Sequence, residues 1–553
     1  MDTEDKNKMQ QSHPDLLEFQ IEIIKDVIRD FLGLLDSVLI GSIERASIEC
    51  LHLEGREITD IGAAWLADPK SGFLNLSELH LYGTQVSDAG VAVIAAPGTG
   101  LHNLIILDVG NTKITDLGLA ALAASDTGLA KLAVLSLTKT AISDAGVAAL
   151  AASTTGLKNL SELELDATAI TDHALAILTA GDTGLPNLAE LGLSYTQVTD
   201  RGAAFLGQST SGLRALKDLS LDGIQLTDVG LAALAATLSA LHSLSALWLG
   251  FTLVSDLGIV ALSSSGSLRG LSILDLTGTA ITDACAPALS APEGCLTNLT
   301  TLGLAGTAVG DAAMAELAKP NTGLRNLRTL NLSDTSVADS GLAALAARDS
   351  GLRQLTVLEV NMVRGISDVG VAALAASNSG LVALTTLNLH ETAAGDKALA
   401  AFAAKDTGLA KLTTLTLSDT AITDAGLAAF AAEHTGLKSL TTLDLSGTAV
   451  GDQGVTALGA QRCGLTNLST LDVHGTKVTD AGAIALAAPD SGMRSLTSLN
   501  LNETDLTDVG ALAIASEDTG LVALTELKVY FTSVTDVGLD AIVERFPGIN
   551  LIW

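Results

Sequence analysis

Aromatics, prolines, cysteines and positive charge are all scarce in this chain, and each scarcity removes a class of protein. Only 3% of residues are aromatic although 48% are hydrophobic, so the interior must be built from Leu, Ala, Val and Ile. Nine prolines against 53 glycines make Gly a regular punctuation mark and exclude a Pro-rich disordered tract. Four cysteines, at 50, 285, 295 and 463 with no C-x-x-C pair, are too few for a disulfide framework. The N-terminal MDTEDKNKMQQSHPDLLEF lacks the basic-then-apolar order of a secretory leader. Both features point to a reduced, cytoplasmic compartment. Lys plus Arg number 30 against 62 Asp plus Glu, a net charge of −32. Such a polyanion is repelled by phosphate backbones and anionic lipid, which argues against nucleic-acid binding and favours a basic protein or peptide. No charge-free run is long enough to cross a bilayer.

What the chain has in abundance is repetition. Aligned on L-x-L, 18 units begin their leucine pair at Leu51, 79, 107, 135, 163, 191, 219, 247, 274, 302, 330, 358, 387, 415, 443, 471, 499 and 527. Every step is 28 residues except one of 27 (Leu247 to Leu274) and one of 29 (Leu358 to Leu387). Repetition this regular means that each unit stacks only on its neighbours. Within a unit, L-x-x-L-x-L alternates with period two and predicts a short strand with its leucines inward. T-x-[IV]-[TS]-D then predicts a turn, and the Ala-rich stretch after it, as in Ala425–Ala432, predicts a helix. Asp ends the turn in all 18 units, from Asp60 to Asp536, where it is expected to cap the helix that follows. Glycine in T-G-L or S-G-L, as at Gly128, Gly156, Gly408 and Gly436, is expected to end the helix in a left-handed conformation. Thr stands three residues after the strand's last Leu in 15 units, missing only at Arg56, Ile224 and Val363. Its hydroxyl is expected to bond nearby backbone.

The pattern L-x-x-L-x-L-x-x-T followed by I-T-D-x-G-L-A-x-L resembles the leucine-rich repeat, in the long-helix subtype of ribonuclease-inhibitor-like and F-box-associated repeats. The resemblance covers residues 48 to about 551, with Thr where that family usually has Asn. It implies an α/β solenoid, a horseshoe with a parallel concave sheet and convex helices, whose concave face grips a partner. Strand spacing of about 4.8 Å against about 8–10 Å for packed helices makes the same curvature a geometric expectation.

Stacked arrays need covered ends. Residues 1–14 read as a disordered tail and 15–47 as a helical cap, with an amphipathic helix over Asp15–Leu39. A docking or self-associating role for that helix is the alternative reading. Residues 48–545 form the array, and 546–553 a truncated strand closed by Trp553. Trp65 is expected to seal the first repeat. One inserted residue near Asn361–Gly365 predicts a bulged turn, and Pro287 and Pro292 interrupt the helix of the ninth unit.

Partner choice must then lie where the repeat is free to vary, at the outward-facing strand positions and the two residues just after the strand. Those positions hold 18 acidic residues and two basic ones, Lys139 and Lys528. Basic residues gather instead in the return loops, for example Lys131, Lys158 and Arg214. The aromatics Tyr82, Tyr195, Trp248, Phe251, Tyr530 and Phe531 also occupy inner positions. Exposed aromatics ringed by carboxylates suit Lys and Arg side chains. The candidate site is Tyr195, Trp248 and Phe251 beside Glu162, Glu164, Asp166, Glu190, Asp218 and Asp222, with Tyr82 and Tyr530–Phe531 as further contacts. His52 and His80 share a strand position in adjacent units, but two ligands do not make a metal centre, and they read as surface histidines. With no nucleophile beside a base, no phosphate loop and no cofactor fingerprint, the reading is a non-enzymatic recognition scaffold without metal or cofactor.

Overall fold

The computed structural model describes residues 21–25, 45, 47–181, 183–236 and 239–553. They fall into two compact units, one through Ile273 and one from Leu274 to Trp553. In the first, three-residue strands from Cys50–His52 to Ala246–Trp248 pair in parallel in chain order. In the second, strands from Thr301–Gly303 to Asn550–Ile552 do the same. The leucine of one unit stands opposite that of the next, as Leu163 opposite Leu191. Each strand buries that leucine and turns its two neighbours to the open face, because side chains alternate along a strand. Leu163, Leu165, Ile170, Leu175 and Leu178 are all fully buried, so a unit's core is one strand face, one turn and one helix stripe. The single pattern repeats down each unit.

Every regular helix starts on the repeat's Asp and runs for only about two turns, as Asp172–Leu178 and Asp424–Phe430 do. The cap, however, is the residue before it. Thr171 lies in extended backbone and its hydroxyl accepts the amide of His173, the geometry an N-cap requires. The Asp carboxylate instead reaches the next repeat. Asp172 Oδ1 accepts the amides of Thr199 (2.8 Å) and Gly202 (2.9 Å), and Oδ2 accepts the Thr199 hydroxyl (2.8 Å). It therefore caps the following helix, whose first-turn amides have no partner of their own. The expectation of a local cap is corrected accordingly. The amide bond of this staple recurs from Asp60 to Asp228 in the first unit and from Asp283 to Asp508 in the second, without the hydroxyl bond where the cap is Gly310, Ala338, Gly395 or Gly451. It also favours the Gly of T-D-x-G, since a Cβ on Gly202 would lie 2.7 Å from Asp172 Oδ1, while Ala313 and Ala398 make the same amide bond with a Cβ in place.

The T-G-L glycines likewise serve the stack. None of Gly128, Gly156, Gly408 and Gly436 has positive φ, and helices such as Asp116–Leu122 end on an Ala in right-handed backbone. A Cβ on Gly436 would lie 2.2 Å from the Ala404 carbonyl oxygen of the preceding repeat, so a side chain there requires the neighbouring repeat's backbone to shift. The left-handed residue sits elsewhere, two places after the strand's last Leu, in all 18 units. There it turns an amide toward the next repeat, as Ala167 N–H does to the Ser194 carbonyl (2.7 Å). Just beyond it, the repeat's Thr bonds back to the carbonyl three residues earlier, as Thr168 does to Leu165 (2.6 Å).

The irregular units behave as the sequence predicts. The extra residue lies in the turn containing left-handed Met362 (φ 63°). The ninth helix is broken into a 3-10 turn, Asp283–Cys285, and a single α turn, Ala286–Leu289. The strand Asn550–Ile552 extends the sheet against Glu526–Lys528. Trp553 does not close it, being 68% exposed; Phe546 is the buried aromatic at that end. Trp65 packs edge-on against Phe73 with Arg45 over its ring. Most of the Asp15–Leu39 segment lies outside the described residues. Residues 21–25 are helical, with Ile24 buried. Among the described residues no helix is long and apolar enough to cross a membrane.

Candidate functional site

The open face of the first unit gathers its acids where strand and turn positions of three consecutive repeats meet. Glu162, Glu164, Asp166, Glu190, Asp218 and Ser220 line a hollow of about 270 Å³ floored by Leu191 and Gly192. Gly192 is what opens it, since a Cβ there would lie 2.9 Å from the Asp166 carboxylate. Burial, then the charges of Glu190, Glu164 and Asp218, push the Glu162 carboxyl above its ordinary range. Burial does the same to Asp166, outweighing the bonds it accepts from Ser194. It also raises Asp218, against the pull of the Trp248 indole. Every charge that shifts Glu162 is another carboxylate, so the hollow concentrates negative potential.

The aromatics stand beside it on strained backbone. Tyr195 (φ 57°) and Phe251 (φ 56°) occupy the left-handed turn position, where a bulky side chain costs about 1–2 kcal/mol. Seven units place Gly there. Both aromatics are exposed, Tyr195 by 60% and Phe251 by 61%. The Tyr195 ring lies across the next repeat's turn at Gly223, where a Cβ would come within 2.4 Å of it. Gly223 thus serves twice, adopting φ 66° and leaving a shelf for the ring. Trp248 ends its strand and is half-buried, its indole N–H donating to Asp218 Oδ1 at 3.0 Å. The expectation of a freely exposed Trp is corrected by that bond. Asp222 accepts the Gly250 amide at 2.6 Å, so its charge also holds the turn that carries Phe251.

The remaining candidates separate from this group. Tyr82 is half-buried against Gly110, with Lys139 Nζ 3.5 Å from its hydroxyl. Tyr530 and Phe531 lie in the second unit, exposed by 48% and 69%, with ring centroids 4.1 Å apart. His52 and His80 stack at 4.5 Å. Beside them is Cys50, whose thiol is pushed up to about 11 by burial and then by Glu78 and Glu54. The loop cations serve local structure: the Arg214, Arg353 and Arg494 guanidiniums each bond a carbonyl five residues earlier in their own loop.

A family model described as a leucine-rich repeat matches residues 100–123, 323–346, 408–431, 436–459, 464–487 and 492–515. Those segments repeat the strand, turn and helix already described in register. The chain carries leucine-rich repeats. Its leucine-rich repeats are similar to several solved structures. An internalin from Listeria monocytogenes is 21% identical over 69% of this chain and 88% of its own, with a TM-score of 0.43. A leucine-rich repeat protein from Leptospira interrogans is 17% identical over 93% and 97%, with a TM-score of 0.37. A TLR13–ssRNA13 complex is 15% identical over 92% and 89%, with a TM-score of 0.44. No match to a curated protein is found.

Three features of these leucine-rich repeats escaped sequence reasoning. The left-handed turn position was readable only as a column where Gly, Asp and Glu recur beside Asn, Lys, Ala, Tyr, Phe and Met, and that mixture hid it. The Asn of N-L-S bonds a carbonyl of the preceding repeat, as Asn159 does to Ala130 (2.8 Å) and Asn467 to Lys438 (2.8 Å), a joint that only the stack reveals. Cys50 lies two residues before His52, a period-two spacing that puts both on one strand face and was the available signal for their juxtaposition.

Proposed function

We propose that this protein is a non-enzymatic recognition scaffold that takes a Lys- or Arg-rich protein segment on the open face of its first unit. The carrying observation is the pairing of a hollow ringed by five carboxylates with Tyr195 and Phe251 held exposed on left-handed backbone. Eleven of the 18 repeats carry a residue other than Gly at this left-handed position, so what sets Tyr195 and Phe251 apart is the exposure of their rings beside the hollow. Cationic side chains would enter between Glu162, Glu190 and Asp218, and guanidinium planes or methylene stems would lie on the two rings. Tyr82, Glu164, Asp166 and Asp222 border the same face. Tyr530–Phe531 is the corresponding contact of the second unit. Similar folds engage ligands of their own, among them a plant peptide hormone receptor in complex with RGF2, which places no partner on this chain.

The test is fluorescence anisotropy with a labelled oligoarginine peptide at low and high salt, on the wild-type chain and on Trp248→Ala and Tyr195→Gly variants. The reading expects saturable binding that weakens steeply with salt and by about tenfold or more in each variant, as loss of an aromatic hot spot does. Binding indifferent to salt and to both substitutions would overturn it.

A further inference from the structure

The first two strands, Cys50–His52 and Glu78–His80, pair in parallel with Cys50 opposite Glu78 and His52 opposite His80. Alternation then sets Cys50, His52, Glu78 and His80 on one face as a two-by-two array. The two imidazoles stack with nearly parallel planes, 15° apart with centroids at 4.5 Å. Cys50 Sγ lies 3.3 Å from His52 Nε2, and ligand atoms of Cys50, His52 and His80 all lie within 4.8 Å of one another. A tetrahedral zinc ion, with bonds of about 2.3 Å to sulfur and 2.0–2.1 Å to nitrogen, sets those two ligand atoms roughly 3.5 Å apart. The Cys50–His52 separation already matches one edge of such a tetrahedron.

The outer shell is present too. Glu54 Oε1 is 2.8 Å from His52 Nδ1 and 3.9 Å from His80 Nδ1. A carboxylate on Nδ1 places the proton there and leaves the Nε2 lone pair facing the sulfur, the arrangement that orients metal-bound histidines. Glu78 Oε2 stands 3.9 Å from His80 Nε2, within a side-chain adjustment of a fourth position. The repeat asks for none of this. The corresponding strand positions in the next two units hold Ile106 and Asp108, then Val134 and Ser136.

We propose that Cys50, His52 and His80, completed by Glu78, bind one Zn2+ ion, with Glu54 as the residue that positions His52. One thiol and two imidazoles select a borderline-soft transition metal over Ca2+ or Mg2+, which take oxygen ligands. The site is separate from the acidic hollow and joins the first two repeats at their open face.

The experiment is Co2+ titration of the tag-free full chain under reducing conditions, followed by displacement with Zn2+. The proposal expects one saturable equivalent, a near-ultraviolet thiolate-to-cobalt charge-transfer band and visible bands of tetrahedral intensity, all lost on adding Zn2+. Cys50→Ser removes the charge-transfer band. His80→Gln weakens Zn2+ binding, and Glu54→Gln weakens it by about 10–100-fold. Circular dichroism checks that each variant keeps the parent fold; if Cys50→Ser does not, His52→Gln and His80→Gln carry the comparison. A weak octahedral cobalt spectrum in wild type, unchanged in the variants and abolished by excess Mg2+, would show ions held by the acidic surface only and would overturn the assignment.

Discussion

Removing one aspartate staple should loosen one joint while leaving the rest of the stack intact, and Asp480 is a suitable place to try it. Its Oδ1 accepts the amides of Thr507 (2.8 Å) and Gly510 (3.0 Å), and Oδ2 accepts the Thr507 hydroxyl (2.7 Å). Hydrogen bonds to a charged group contribute about 1.5–3 kcal/mol each when dry. Asp480 lies near solvent and water replaces part of what is lost, so Asp480→Ala is expected to cost about 2–4 kcal/mol in total. Asp480→Asn keeps Oδ1 for the two amides and should cost roughly 1 kcal/mol. Repeat arrays open locally, so amide hydrogen exchange is a better assay than a single melting temperature. A loss of about 3 kcal/mol raises exchange by roughly 100-fold, confined to residues near 479–483 and 507–511. The effect also carries a pH signature. Burial works against the Asp480 charge, yet the bonds from Thr507 and Gly510 hold its carboxyl below the usual range. With the folded value depressed, the stabilisation is complete above the unfolded Asp pKa of about 3.9 and disappears as pH falls through the folded value. The difference between wild type and Asp480→Ala, corrected for intrinsic exchange, should therefore be full near neutrality and vanish in acid. A change under about threefold at Asp480→Ala, or equal effects of Ala and Asn, would refute the staple.

Other consequences are equally direct. Tyr195→Gly and Phe251→Gly relieve left-handed strain of about 1–2 kcal/mol at some gain in unfolded-chain entropy, so urea unfolding should show neutral to slightly higher stability while oligoarginine affinity falls. Lower stability would mean the rings are packing residues. Gly436→Ala, whose Cβ would meet the Ala404 carbonyl oxygen at 2.2 Å, should destabilise by about 1–3 kcal/mol, whereas Gly98→Ser, with open space at a φ of 77°, should show only the cost of its backbone. Because Glu162, Asp166 and Asp218 titrate above ordinary carboxylates, lowering the pH should neutralise them before other surface acids. Affinity for a cationic peptide, read by anisotropy, should then fall at a pH where the net charge is still strongly negative.

The 28-residue period carried the solenoid and the strand and helix positions, because each depends on short-range pattern, and Pro287 and Pro292 marked the broken helix of the ninth unit. What it misjudged were joints between repeats. Asp172 and Gly436 look like local capping residues in one repeat, and only stacking shows that their partners belong to a neighbour. The same limit applied to the candidate site. Alternation placed Tyr195, Trp248 and the acids on one face, but not the Trp248–Asp218 bond that half-buries the indole, nor the Gly223 shelf under Tyr195. His52 and His80 were visible as a pair, while Cys50 entered only when Glu54 and Glu78 were seen around all three.

The central claim is that framework positions build the stack and that the variable residues of the open face choose the ligand. Hydrogen exchange of the full chain with and without bound oligoarginine tests it most directly. Protection confined to the turns around residues 166–168, 194–196, 220–224 and 248–252, with the helices unchanged, is the expected result. Protection on the helical side, or undiminished binding when those turns stay unprotected, would contradict it.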